Sequence, residues 1–74
     1  MLVELDTVVL TRAMPEAGLA AGDVGAIVHA YPGNSAFEVE FVGLTGDTIA
    51  ILTVPADAVR AVRPREIATA REVA

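Results

Sequence analysis

Seventy-four residues without a cysteine make one small domain that no disulfide can brace, and a chain this short buries roughly 60% of the surface its unfolded form exposes. Apolar residues form 54% of it and charged ones 20%, which excludes intrinsic disorder; no apolar run approaches the ~18–20 residues a spanning helix needs. Ten carboxylates against five arginines, with no lysine, leave a net charge of −5, which argues against nucleic-acid binding and against anionic membrane surfaces.

The opening residues Met1–Asp6 carry neither a basic start nor a long apolar run, so no secretory signal is expected and the expected location is cytoplasmic. Asp6 to Thr11 is short and β-branched, the composition of a strand. From Arg12 to Asp23 the chain is punctuated by Pro15, Gly18 and Gly22, too densely for more than a turn, and reads as a long first loop. Val24 to Tyr31 is a second strand in which Gly25 marks a bend or a close backbone approach. Tyr31-Pro32-Gly33-Asn34 has the pattern of a type II turn, with proline presetting φ and glycine accepting a positive one.

Ala36 to Val42 alternates cleanly, Phe37, Val39 and Phe41 on one face and Glu38 and Glu40 on the other. After the Gly43–Gly46 turn, Asp47 to Val54 is a further strand. Pro55–Ala58 then breaks the ladder as a single helical turn, and Val59 to Val62 is a last short strand stopped by Pro64. Arg65 to Ala74 has helical propensity, and Ile67, Ala70 and Val73, three apart, give it a weak apolar face. At ten residues such a helix is marginal alone; it docks on the domain or on a partner, or it frays.

Five short strands, a long first loop, two tight hairpins and a helical turn before the last strand predict a mainly β fold. Its expected form is a small five-stranded SH3-like barrel over residues 1–64, followed by a tail at 65–74. Apolar residues on both faces of Val24–Tyr31 and Asp47–Val54 suit a curled sheet rather than a flat one.

The blocks Glu4–Leu10, Gly18-Leu19, Gly22-Asp23-Val24-Gly25 and Glu38-Val39-Glu40-Phe41 occur in an order that resembles a bacterial family, domain of unknown function 4926. The likeness extends to Leu52-Thr53 and to Arg63-Pro64. Gly22–Gly25 and the strand after it are also similar to the glycine-containing strand of KOW and related SH3-like barrels. The resemblance implies a fold and carries no catalytic motif to transfer.

The polar inventory is small. One histidine (His29) and one serine (Ser35) flank the same turn, but a Ser-His relay needs an orienting group and an oxyanion hole as well, and the plain reading is a rim histidine beside a turn serine. Glu38 and Glu40 stand about 6–7 Å apart on one strand face, a spacing open to a carboxylate pair but ordinary for a solvated face. Arg60, Arg63 and Arg65 gather three of the five cations. They could meet an anion or RNA, and more simply they balance carboxylates such as Glu38, Glu40 or Asp57. Asp23 between two glycine-containing steps reads as a turn residue bonding its own backbone. Tyr31, at a hairpin end, is either packing or an anchor for a partner.

No catalytic, cofactor or metal site is expected. A chain this apolar and this small leaves a surface patch and open strand edges, so the expected role is a protein-interaction module, non-enzymatic and either self-associating or the accessory or immunity-type partner of another protein. The alternative is a KOW-like nucleic-acid module using Arg60, Arg63 and Arg65. The candidate contacts are Tyr31, Arg60, Arg63 and Arg65.

Overall fold

A computed structural model describes residues 1–73. Five strands form one antiparallel sheet: β1 (Thr7–Leu10), β2 (Val24–Ala30), β3 (Ala36–Val42), β4 (Thr48–Pro55) and β5 (Val59–Ala61). Their spatial order is β4-β3-β2-β1-β5, so the last strand returns to lie beside the first. Three single-turn 3-10 helices, Pro15–Ala17, Pro32–Asn34 and Ala56–Ala58, punctuate the loops. No helix is long and apolar enough to cross a membrane among the described residues.

The short β4–β5 connection forces the sheet to curl. In a flat sheet of this order β4 and β5 would lie about 19 Å apart, four strand spacings. Only Ala56–Ala58 join them, and one 3-10 turn advances roughly 2 Å per residue. The chain can bridge the two edges only if the sheet wraps round on itself. Thr11 N–H donating to the Ala58 carbonyl and Ala56 N–H to the Ser35 carbonyl tie the crossover down at both ends. The wrap stops short of a closed barrel, since β4 pairs with β3 and β5 with β1 but not with each other.

The concave face holds the core. Val8, Leu10, Ile27, Phe37, Val39, Phe41, Val54 and Val59 fill it from all five strands, with Leu19 from the first loop and Ala58 from the crossover. Phe37, Val39 and Phe41 face Val54, Leu52 and Ala50 across the β3–β4 ladder, as their alternation predicts. Gly25 is required by a close approach. A Cβ there would come within 2.7 Å of a Val39 methyl and 2.9 Å of both the Glu40 carbonyl and the Phe41 ring.

The two-sided apolar character of β2 and β4 follows their alternation: Val28 lies on the face opposite the buried Ile27, and Ile49 and Ile51 on the face opposite Ala50 and Leu52. The β2–β3 register slips at Val28 and the β3–β4 register at Ile49, each by one extra residue. The Tyr31–Asn34 turn forms as its residues require, with Gly33 at φ 73° and Asn34 N–H donating to the Tyr31 carbonyl at 2.9 Å.

The tail corrects an expectation. Residues 65–73 form no helix, and of the apolar face proposed for one Ile67 is 91% exposed while Val73 lies against Gly18. Arg65 at φ 68° after Pro64 turns the chain, and ion pairs then hold it across the convex face of the sheet. Ten residues bury too little to offset the cost of helix nucleation against those contacts. The last residue of the expected tail, Ala74, lies outside the described residues.

Candidate interaction surface

The convex face is where the anticipated site residues and the unexpected ones meet solvent. On it Glu38 and Glu40 project from β3 as the alternation predicts, but arginines do not balance them. Glu38 accepts hydrogen bonds from the Thr53 hydroxyl (2.6 Å) and the Tyr31 hydroxyl (3.1 Å), and Glu40 accepts one from the Thr48 hydroxyl (2.8 Å). Neither carboxylate has a cationic partner among the described residues. Tyr31 is therefore tied to its own sheet by its hydroxyl, and its ring stands edge-on to His29 with centroids 4.8 Å apart. His29 lies 3.7 Å from the Glu4 carboxylate, while the Ser35 hydroxyl turns to the Pro32 carbonyl. The two residues that flank the turn thus engage different partners.

Two of the three clustered arginines, Arg60 and Arg63, meet one carboxylate, that of Glu66. From β5, Arg60 makes a two-pronged contact with Glu66, at 2.9 and 2.6 Å. The Arg63 contact with Glu66 runs through its backbone N–H, at 2.6 Å. The Arg60 guanidinium foremost, and then the Arg63 N–H, hold the Glu66 carboxyl down at about 2 from its ordinary 4.5. Of the three, only Arg60 has a side-chain hydrogen-bond partner among the described residues, and Asp57 is paired with Arg12 instead. The carboxylate partner of Arg60 is thus Glu66, and not Glu38, Glu40 or Asp57. A residue only six positions on in the chain reaches it locally, whereas two strands, β2 and β1, separate β3 from β5.

A second ion pair was not legible in sequence. The Asp23 carboxylate accepts the Ala20 N–H at 2.8 Å, as a turn residue should, and also receives a fork from Arg71, 48 positions on. Arg71 Nε reaches Asp23 Oδ1 at 2.9 Å, one Nη bonds Asp23 Oδ2, and the same Nη donates to the Gly18 carbonyl at 3.1 Å. The guanidinium, the dominant influence, and the Ala20 N–H together hold the Asp23 carboxyl below its usual range against the opposing effect of its partial burial.

The tail so anchored lines two shallow clefts of about 420 and 480 Å³, the second of them beside Val9 on the convex side. The first lies towards the β3–β4 hairpin, among Val24, Val42, Leu44 and Ile49. Beyond it runs the outer edge of β4. That strand is eight residues long, has no strand partner on its outer side among the described residues, and contains no charged side chain. Its convex-side residue Ile51 is 53% exposed, between Thr53 and the bulged Ile49. Edge strands are usually guarded by charge, by shortness or by an early proline. Here only the terminal Pro55 serves.

Among the described residues no group of three or more His, Asp or Glu side chains could hold a metal ion. A family model described as a domain of unknown function, DUF4926, matches residues 4–61, which takes in all five strands and leaves the tail outside. Neither the curated proteins nor the solved structures yield a match.

Proposed function

The chain belongs to the DUF4926 family, and we propose that it is a non-enzymatic protein-interaction module that works through the outer edge of β4. The observation that carries this reading is an eight-residue edge without a charge, whose outward backbone N–H and C=O groups await a partner strand. Strand addition takes its affinity from main-chain hydrogen bonds and its selectivity from alternate side chains. On this edge the alternate positions are Ile51 and Thr53, backed one strand inward by Glu40 and Glu38. An incoming strand meets an apolar residue flanked by two carboxylates, and a basic or alternating basic–apolar segment is complementary to it. The net charge of −5 would steer such a partner to the surface and would oppose a second copy of the chain.

The test places a photo-crosslinking residue at Ile51 in the producing cell. A discrete adduct is expected, and it is expected to disappear when Ile49 is also changed to Lys. An equal adduct from the same probe at Glu16, in the first loop and not on β4, or no adduct from Ile51, overturns the reading. The nucleic-acid alternative finds less support, because Glu66 already occupies the Arg60 guanidinium.

A further inference from the structure

The way the tail is attached points to a second recognition site that does not rest on the β4 reading. Beyond Glu66, every hydrogen bond between the described tail and the rest of the chain is made by one side chain, Arg71. No backbone hydrogen bond joins residues 67–73 to the sheet. Ile67 is almost fully exposed, and the apolar contact nearest the anchor is that of Val73 against Gly18. A structural segment would be expected to bury its largest apolar residue; this one leaves it in water and holds on by a guanidinium.

The receiving side is, by contrast, built. Asp23 is oriented by the Ala20 N–H, its side chain is 19% exposed, and the Gly18 carbonyl stands beside it to accept a further guanidinium N–H. A carboxylate with an adjacent carbonyl in this arrangement selects arginine over lysine, because only the planar fork satisfies both acceptors at once. Next to it the tail residues Ala68, Ala70 and Val73 line one side of an apolar cleft whose other side is Val42, Leu44 and Ile49. The receptor residues Gly18–Val24 fall inside the family match at 4–61, and the occupant falls outside it.

We propose that Asp23, the Gly18 carbonyl and the adjoining cleft form a docking site for an extended, arginine-bearing segment of a partner protein, and that residues 66–73 occupy it as a tethered stand-in. The occupant on the page supplies the ligand chemistry: an arginine with a small β-branched residue two positions later, as in Arg71-Glu72-Val73. The acidic balance of the chain favours a cationic ligand. A short tether presents the tail at an effective concentration of order millimolar, so a partner must bind more tightly than the tail alone does.

The experiment uses the full chain with Arg71→Ala, which empties the site without touching the receptor, and a labelled synthetic peptide of residues 65–73 as probe. Titrated by fluorescence anisotropy, the Arg71→Ala chain is expected to bind this peptide about tenfold more tightly than the parent chain, in which the tethered tail competes. Adding Asp23→Asn, which keeps an acceptor for the Ala20 N–H but loses the charge, is expected to abolish binding, as is placing alanine or lysine at the Arg71 position of the peptide, whereas alanine at its Arg65 position is expected to leave binding unchanged. Equal binding by parent and Arg71→Ala chains, no binding by either, or binding indifferent to Asp23 overturns the proposal. Circular dichroism of each variant establishes that the sheet is intact, and Arg71→Lys, which keeps the charge, serves if Arg71→Ala does not fold. A parent chain that dimerises with concentration, and loses this on Arg71→Ala, makes a second copy the occupant and overturns the assignment to a partner protein. The crosslink from Ile51 is untouched by any of these outcomes.

Discussion

Replacing Gly25 by alanine tests whether the curl of the sheet depends on the contact between β2 and β3. The added methyl would lie 2.7 Å from a Val39 methyl and 2.9 Å from both the Phe41 ring and the Glu40 carbonyl. Carbon atoms pack best at about 3.5–4.0 Å, so the overlap is roughly 0.8 Å at the tightest point. Val39 could give a little, but the Glu40 oxygen is backbone in the middle of a ladder and cannot move alone. Overpacking of this kind costs about 1–3 kcal/mol, and the alanine returns roughly 0.4–1 kcal/mol by restricting the unfolded chain. The net loss centres on about 1.3 kcal/mol, against a total stability of roughly 4–11 kcal/mol for 74 residues. In a domain of this size that lowers Tm by about 5–10 °C. Thermal unfolding followed by circular dichroism measures it. Combining the change with Val39→Ala should recover only part of the loss, because the carbonyl remains in place. A Gly25→Ala protein melting within about 3 °C of the parent would refute the argument that this approach holds the curl.

Other expectations concern the core, the edge and the tail. Ile27→Ala removes a fully buried side chain at the centre of the sheet and should cost about 2–5 kcal/mol in urea unfolding, whereas Val28→Ala next to it, bulged outward, should cost far less. Ile51→Lys should leave stability within about 0.5 kcal/mol of the parent, since the side chain is half exposed, while abolishing the crosslinked adduct of a probe at Ile49. Both carboxylates that anchor the tail have folded-state values below their unfolded ones. Their contribution is therefore complete above the unfolded values of 4.5 for Glu66 and 3.8 for Asp23, and is lost as pH falls through the folded values, near 2 for Glu66. Nuclear magnetic resonance shifts of Gly18, Ala68 and Val73 should hold steady from pH 7 to about 4.5 and move below it. Movement centred at or above the unfolded values would contradict the ion-pair geometry.

Sequence alone determined the strands, because each rests on a local cause. Alternation placed Phe37, Val39 and Phe41 on one face, Pro32-Gly33 and Gly43–Gly46 set the hairpins, and Pro55 ended the ladder before a single helical turn. The close approach at Gly25 was also legible, since glycine inside a strand has few other uses. Tertiary structure decided what depends on distance across the fold. Two bulges, at Val28 and Ile49, shift the ladder registers, and a bulge is settled by the partner strand rather than by the residue that forms it. The edge role of β4 follows from the order of strands in space, which no stretch of sequence states. Helical propensity in residues 65–73 yielded to two ion pairs, one with a partner 48 positions away. Local patterning reports what neighbours along the chain prefer; the arginine at 71 and the aspartate at 23 become neighbours only after the sheet has curled.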